Sequence, residues 1–338
     1  MNVETFNYSP ESLAPFFYLN KRDRKNIYIF STEKEALEFY NNFSNFVPEA
    51  SHFPAWDTLS YDSFTPSLEI QGKRLQTLHN LLVMESFDIA MSMKSFTQKI
   101  FINDLDVIDM QIGQEVDFEN LIENLAFLKY VNKDRVESRG TFSIRGGQID
   151  IYPLNSEYPV RIIFNGDEVV ELKLFDYITQ RSIKNIKKVL ITPSSELFQT
   201  NQEDIYKSLE IESKKDLDEY ELFQFSQNLE NFKSLLDFVP DDISINIIDF
   251  NSCKEVFSEL QKIEDDSFNN LQKFFSLNVS KMKSRYVDTL KEINKFETIF
   301  YATNDLENIS NVPQFLDGLS TDNVLQKINN LAKVYLAS

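Results

Sequence analysis

The chain has 338 residues, enough for two or three domains, and its 42% hydrophobic content, with 30 Phe and 14 Tyr, excludes a disordered polypeptide. A formal net charge of -19 excludes general coating of nucleic acid, which needs cations to displace condensed counterions, and leaves room only for a local basic surface. The one cysteine, Cys253, excludes an internal disulfide or a cysteine-based zinc site, and none of the seven glycines precedes Gly72, which excludes a Gly-rich phosphate loop upstream of it. Cys253 is expected to be a buried structural thiol. No apolar run approaches the roughly 18 residues of a membrane span, and the start is no signal peptide, so a cytoplasmic location is expected.

Charge is spread unevenly. Residues 1–106 hold 9 Lys/Arg against 14 Asp/Glu, residues 107–191 hold 11 against 13, and residues 192–338 hold 14 against 26. A nearly neutral middle between acidic flanks predicts three parts with these boundaries. In the first, Asn26–Phe30 predicts a short buried strand, and the run from Ser31 to Glu35 a helix start with a hydroxyl cap and early acids. Ala36, Leu37, Phe39, Tyr40 and Phe43 continue that helix as its apolar set. An aromatic segment from Trp56 to Phe64 leads into a helix over 68–84, and Phe87–Ser92 is another strand. Strand, helix, strand predicts a parallel sheet.

The middle part changes character. Thr141–Arg145 and Gln148–Tyr152 alternate around Gly146-Gly147, which predicts two strands joined by a tight turn. Val160–Phe164 and Val169–Phe175 flank Asn165-Gly166 and predict a second hairpin with a type I′ turn, whose two central residues need positive φ. Alternation puts Val170, Leu172 and Leu174 on one face and Val169, Glu171 and Lys173 on the other. It likewise sends Arg161 and Ile163 to one side and Ile162 and Phe164 to the other. This is a β-rich insert. In the last part, Lys188–Ile191 predicts a strand and Pro193–Glu196 a helix start. Ile243–Asp249 is an apolar strand between long amphipathic helices, and Glu297–Ala302 is a further strand.

Two segments together are specific. The run from Phe53 to Pro66 (FPAWDTLSYDSFTP), with Gly72 to Leu78 (GKRLQTL) after it, is the first. The second is Arg139 to Pro153 (RGTFSIRGGQIDIYP), continued by Ser156 to Ile162 (SEYPVRI), Gly166-Asp167-Glu168 and Phe175 to Ser182 (FDYITQRS). In this order they resemble the amino-terminal motifs of bacterial transcription-repair coupling factors, and Leu235 to Asp242 (LLDFVPDD) is a weaker third match. The resemblance implies an α/β fold: a degenerate helicase-like, P-loop-NTPase-derived parallel-sheet domain in two halves, residues 1–106 and 192–338. An inserted β-rich UvrA-binding domain, residues 107–191, interrupts it, as in the related excision-repair protein UvrB.

The function implied is that of an adaptor that binds UvrA and recruits nucleotide excision repair to a stalled RNA polymerase. In that family separate carboxy-terminal modules bind polymerase and drive ATP-dependent translocation on DNA, and they are expected to be missing from this chain. Where UvrB has its phosphate loop, residues 13–26 contain no Gly, and UvrB's second nucleotide motif falls on Asp249-Phe250-Asn251-Ser252, with Phe at the water-positioning Glu. UvrB's long Tyr-rich hairpin has no room between Trp56 and Lys73. No catalysis, cofactor, metal or membrane partner is therefore expected. The competing readings are a UvrB-like damage-verifying ATPase and an autoinhibitory module that restrains a motor.

The resemblance places the UvrA-contacting arginines on Arg145 and Arg161, with Gly146, Gly147, Phe164 and Asn165 around them. A guanidinium grips a carboxylate bidentately and supplies hot-spot energy; the alternative is a pair of solvated or internally salt-bridged strand arginines. Many family members carry Phe where this chain has Asn165, and here Phe stands one residue earlier. Truncating either arginine is expected to weaken UvrA binding and leave the fold intact. Other candidates read as structural: Trp56, Tyr61 and Phe64 as core packing rather than a ligand box, the Lys21–Lys25 run as a solvated loop, and Asp237, Asp241, Asp242 and Asp249 as loop acids rather than a magnesium site. His52 and His79 do not form a metal pair.

Overall fold

The computed structural model of the chain describes residues 2–6, 10–20, 25–60, 64–102, 104–212, 216–271 and 283–303. The first stretch runs β1 (Asn2–Phe6), α1 (Pro10–Leu19), β2 (Lys25–Phe30), α2 (Glu33–Phe43), β3 (Ser51–Phe53), α3 (Leu68–Val83), β4 (Asp88–Ser92) and α4 (Met93–Thr97). The middle runs β5 (Ile108–Gln111), α5 (Phe118–Phe127), β6 (Val131–Asn132), β7 (Thr141–Ile144), β8 (Gln148–Ile151), β9 (Val160–Asn165), β10 (Glu168–Phe175), β11 (Ser182–Ile186) and β12 (Lys188–Ile191). The last contains α6 (Gln202–Ser208), α7 (Glu219–Ser226), β13 (Ile243–Ile248), α8 (Phe250–Leu271) and β14 (Glu297–Thr303). The fold is mixed α/β.

Strands from both ends of the chain share one parallel sheet, in the order β1-β14-β13-β2-β4-β3. The central β13 is buried at every position, as a strand covered on both faces must be. Helix α2 starts on a capping box in which Thr32 and Glu35 satisfy each other's backbone N–H, and it turns Ala36, Phe39 and Phe43 inward. Leu37, expected in that apolar set, is exposed. The inserted sheet is ordered β11-β10-β9-β8-β7-β6, antiparallel except for β6 beside β7. Its core face and the parallel sheet contribute to one continuous apolar cluster, from Ile27, Leu75 and Ile245 to Phe142, Ile149 and Ile162.

Lys188–Ile191 is a strand, as its sequence predicts, and pairs antiparallel with β5. Several local expectations are corrected. Pro193–Glu196 opens no helix; the next one is α6, capped by Asn201, and Glu196 is buried instead. Val169, not Val170, faces the core, because a bulge between Val169 and Glu171 inserts one residue and flips the alternation. The Asn165-Gly166 turn is shifted: Asn165 pairs with Glu168, so Gly166 and Asp167 are the central residues. Only Gly166 has positive φ (62°), which is the type II′ pattern rather than type I′.

Upstream of β2, Leu13, Ala14 and Phe17 lie on a helix face packed into core, so the described part of residues 13–26 is helix and strand. Residues 21–24 of the Lys21–Lys25 run, and Tyr61, lie outside the described residues. Asp249 accepts from the Ser252 backbone N–H (3.2 Å) and hydroxyl (2.7 Å) at the start of α8, and Asp237 accepts from Ser234, so both acids cap turns. Cys253 is fully buried, and burial raises its thiol pKa far above the ordinary value. Phe64 is exposed, but Trp56 is core.

Trp56 sits in a buried polar hub. Glu196 accepts from the Trp56 indole N–H and from Arg74 Nε, both at 2.8 Å, with the two charged side chains 0% and 1% exposed. Arg74 also donates to Pro54 O (2.9 Å) and to Gln98 Oε1 (3.2 Å), and its guanidinium lies over the Phe53 ring at 4.3 Å. About one turn earlier Gln71 accepts from the Glu196 backbone N–H (3.0 Å), and Gly72 lets α3 touch the insert: a Cβ there would sit 2.4 Å from Leu154 O. Removing one member of a buried pair strands the other charge in low dielectric, at about 3–5 kcal/mol. Arg74→Met is thus expected to lose about that much stability in urea unfolding. Adding Glu196→Gln, which keeps an acceptor for Trp56, is expected to restore part of it; equal stability of Arg74→Met and the parent would contradict the assignment.

Candidate functional site

Cross-strand pairing sorts the inserted sheet into two faces. On the core face, Phe142, Ile151, Val160 and Leu174 form one row, and Ile144, Ile149, Ile162, Leu172 and Ile186 the next. Helix α5 covers this side, capped by Asp117 and turning Leu121 and Leu125 inward. The Asp117 cap and the Phe118/Leu121/Ile122/Leu125 spacing are the sequence signal of this helix. On the opposite face the rows are Ser143, Asp150, Arg161, Lys173 and Asn185, then Gln148, Ile163 and Glu171.

The sequence-derived residues separate on this frame. Arg145, Gly146, Gly147 and Asn165 are exposed on two adjoining turns, tied by the Phe164 N–H to Gly147 O bond at 2.8 Å. Residues 145 and 148 close their turn with reciprocal backbone bonds of 2.9 and 3.2 Å, and Gly146 takes φ 60° with open space where a Cβ would stand. Gly147 is constrained from within, since a Cβ there would meet Phe164 O at 3.2 Å. Phe164 does not join the exposed set: it is 8% exposed and packs edge-on against Phe118 at 5.2 Å. Alternation along β9 turns it to the core as Arg161 turns away.

The two arginines are in different states. Arg145 donates to Asp134 O (2.8 Å) from an exposed position. Arg161 already grips Asp150 with two bonds of 2.8 Å, its guanidinium 4.7 Å from the Phe175 ring and its side chain 17% exposed. Asp150, 1% exposed, also accepts from Gln148 Nε2 at 2.9 Å. The hydrogen bond to Asp150 raises the Arg161 pKa further above its ordinary value, against the opposing effect of burial. The fork of Arg161 is therefore engaged within the sheet, and the expected pair of equally available cations becomes one exposed arginine beside one anchored one. Half-buried Ile163 supplies an apolar centre between Gln148 and Glu171, and Lys173 is paired to Glu171 at 2.7 Å.

Among the described residues, no group of three or more His, Cys, Asp or Glu is placed to hold a metal, and no helix is long and apolar enough to cross a membrane. A cavity of about 330 Å³ between α3 and the insert includes His52, Lys73 and Arg139, and one of about 380 Å³ beside β6 includes Lys129, Lys133 and Arg139.

Residues 108–197, the span from β5 to the loop that carries Glu196, match the family described as the UvrB interaction domain. Up to 70% of the chain is similar to curated proteins named transcription-repair-coupling factor. That of Escherichia coli K12 is 29% identical over 168 residues, which is 48% of this chain and 14% of that protein. That of Mycobacterium tuberculosis is 31% identical over 142 residues (39% and 12%), and that of Staphylococcus aureus MRSA252 is 25% identical over 268 residues (70% and 22%). The resemblance read from the motifs thus holds over up to 70% of the chain, and the chain spans between 12% and 22% of the length of these relatives.

Because Arg161 and Asp150 complete each other, Arg161→Ala is expected to destabilise the fold, by about 3 kcal/mol given its partial exposure. Arg145→Ala is expected to stay within about 0.5 kcal/mol of the parent. Urea titrations of the two variants check this contrast, and equal stabilities would contradict it.

Proposed function

We propose that this chain is the UvrA-docking part of a transcription-repair coupling factor, an adaptor that brings nucleotide excision repair to stalled RNA polymerase. The observation that carries the reading is the match of residues 108–197 to the UvrB interaction domain, combined with the exposed Arg145-Gly146-Gly147 turn beside Asn165 on that domain's sheet. In this reading Arg145 is the cation that meets UvrA, Ile163 and the rim of Gln148 and Glu171 fill the contact, and Arg161 holds the strand in register from Asp150. Polymerase binding and DNA translocation belong to the remaining length of such proteins. The parallel sheet is read as a nucleotide-binding fold that has lost its chemistry. Helical packing of Leu13 to Phe17 and the turn-capping role of Asp249 support that loss.

Arg145→Ala is expected to weaken UvrA binding at least about tenfold, the equivalent of about 1.4 kcal/mol, with unchanged thermal unfolding. Asn165→Phe is expected to bind somewhat more tightly by adding apolar area beside it. Fluorescence polarisation with labelled UvrA measures both, and parental affinity in Arg145→Ala would remove the turn from the interface. Isothermal titration with ATP and magnesium is expected to show no binding to this chain; a micromolar dissociation constant would instead favour the ATPase reading.

A further inference from the structure

Among the described residues, strand β11 forms an outer edge of the inserted sheet, hydrogen-bonded to β10 on one side only. Residues 177–195 contain Arg181, Lys184, Lys187 and Lys188 and no Asp or Glu, in a chain whose net charge is -19. All four cations are exposed, and none of their side chains forms an ion pair or hydrogen bond among the described residues. Their nearest strand neighbour of like charge, Lys173, is already neutralised by Glu171 at 2.7 Å. Ile178 (67% exposed) and Ile183 (50%) stand among them, Ile183 as the extra residue where the β10–β11 register shifts. The strip therefore combines three features that no described residue uses: four uncompensated cations, two open isoleucines and one row of backbone groups at a sheet edge.

Lysines on an edge deter pairing with an edge of the same charge, which protects against self-association. The same charges favour a strand of opposite sign. We propose that β11 is a docking strip for an extended, acidic segment of a partner protein, added alongside the edge with backbone hydrogen bonds. Such a segment complements all three features. A nucleic-acid backbone would use the cations but neither the isoleucines nor the outward carbonyls. The proposal does not rest on UvrA binding: Asn185 of β11 lies two strands from Arg161, about 10 Å away across Lys173.

The test uses a fluorescein-labelled peptide of alternating Glu and Val, with a Lys-Val peptide as control, in polarisation titrations against the full chain. The Glu-Val peptide is expected to bind, to weaken with added salt, and to lose at least about tenfold in affinity in the Lys184→Glu/Lys187→Glu variant. Amides of residues 182–186 in the parent are expected to gain hydrogen-exchange protection on peptide addition, a readout that stands even if the variant folds poorly. Arg145→Ala is expected to bind the peptide like the parent, so that failure of this proposal and failure of the UvrA reading are separable. Equal peptide affinity in the double variant, an absence of protection at 182–186, or a duplex oligonucleotide that binds as tightly and competes would overturn the proposal. A dimer in light scattering that the double variant abolishes would also overturn it, by making the occupant a second copy.

Discussion

The Arg74–Glu196 pair is the constraint on which the arrangement of the two sheets depends. Arg74 lies on α3, within the parallel-sheet part, while Glu196 lies just past β12, where the chain leaves the insert. Their 2.8 Å contact, shared with the Trp56 indole, pins the exit of the insert onto the helix that precedes it. Two buried charges are tolerated only with such mutual satisfaction, since desolvation opposes each of them alone. Gly72, two residues before Arg74 on α3, removes the side chain that would otherwise hold Leu154 away. Paired β5 and β12 bring the entry and exit of the insert together, and the pair locks that neck in place.

With the neck held, the inserted sheet has one face committed to core and one left to solvent and partners. The division follows from strand alternation in β7, β8 and β9, and from a bulge in β10 that changes which valine turns inward. It also explains why two arginines from similar motifs end in different states. Arg161 stands mid-strand opposite Asp150 and is neutralised before any partner arrives, whereas Arg145 stands at a turn, where the nearest acceptor is a backbone carbonyl. Pre-engaged Arg161 is a scaffold for the face, and Arg145 is its available cation.

Much of this was legible in the residues. The β2–α2 unit, β4, β13, β14 and both hairpins were readable because each is a local pattern: an apolar run, a Thr32/Glu35 box, alternation around Gly146 or Gly166. What escaped was set by tertiary context. Glu196 sat in a Ser-rich stretch that resembles a helix start, and nothing local announces that its carboxylate meets Arg74 across the fold. The bulge at Val169 and the one-residue shift of the Asn165 turn escaped because alternation carries no marker for an inserted residue. At the site, the motif located Arg145 and Arg161 together, but only the pairing of β8 with β9 reveals Asp150 under Arg161.

Hydrogen-exchange mass spectrometry of the chain with and without UvrA tests the central claim most directly. The account predicts added protection in two adjoining segments, residues 145–148 and 163–168, with β13, α2 and the rest of the parallel-sheet part unchanged. Protection centred on the parallel sheet or α8, with both hairpin turns exchanging as in the free chain, would contradict it.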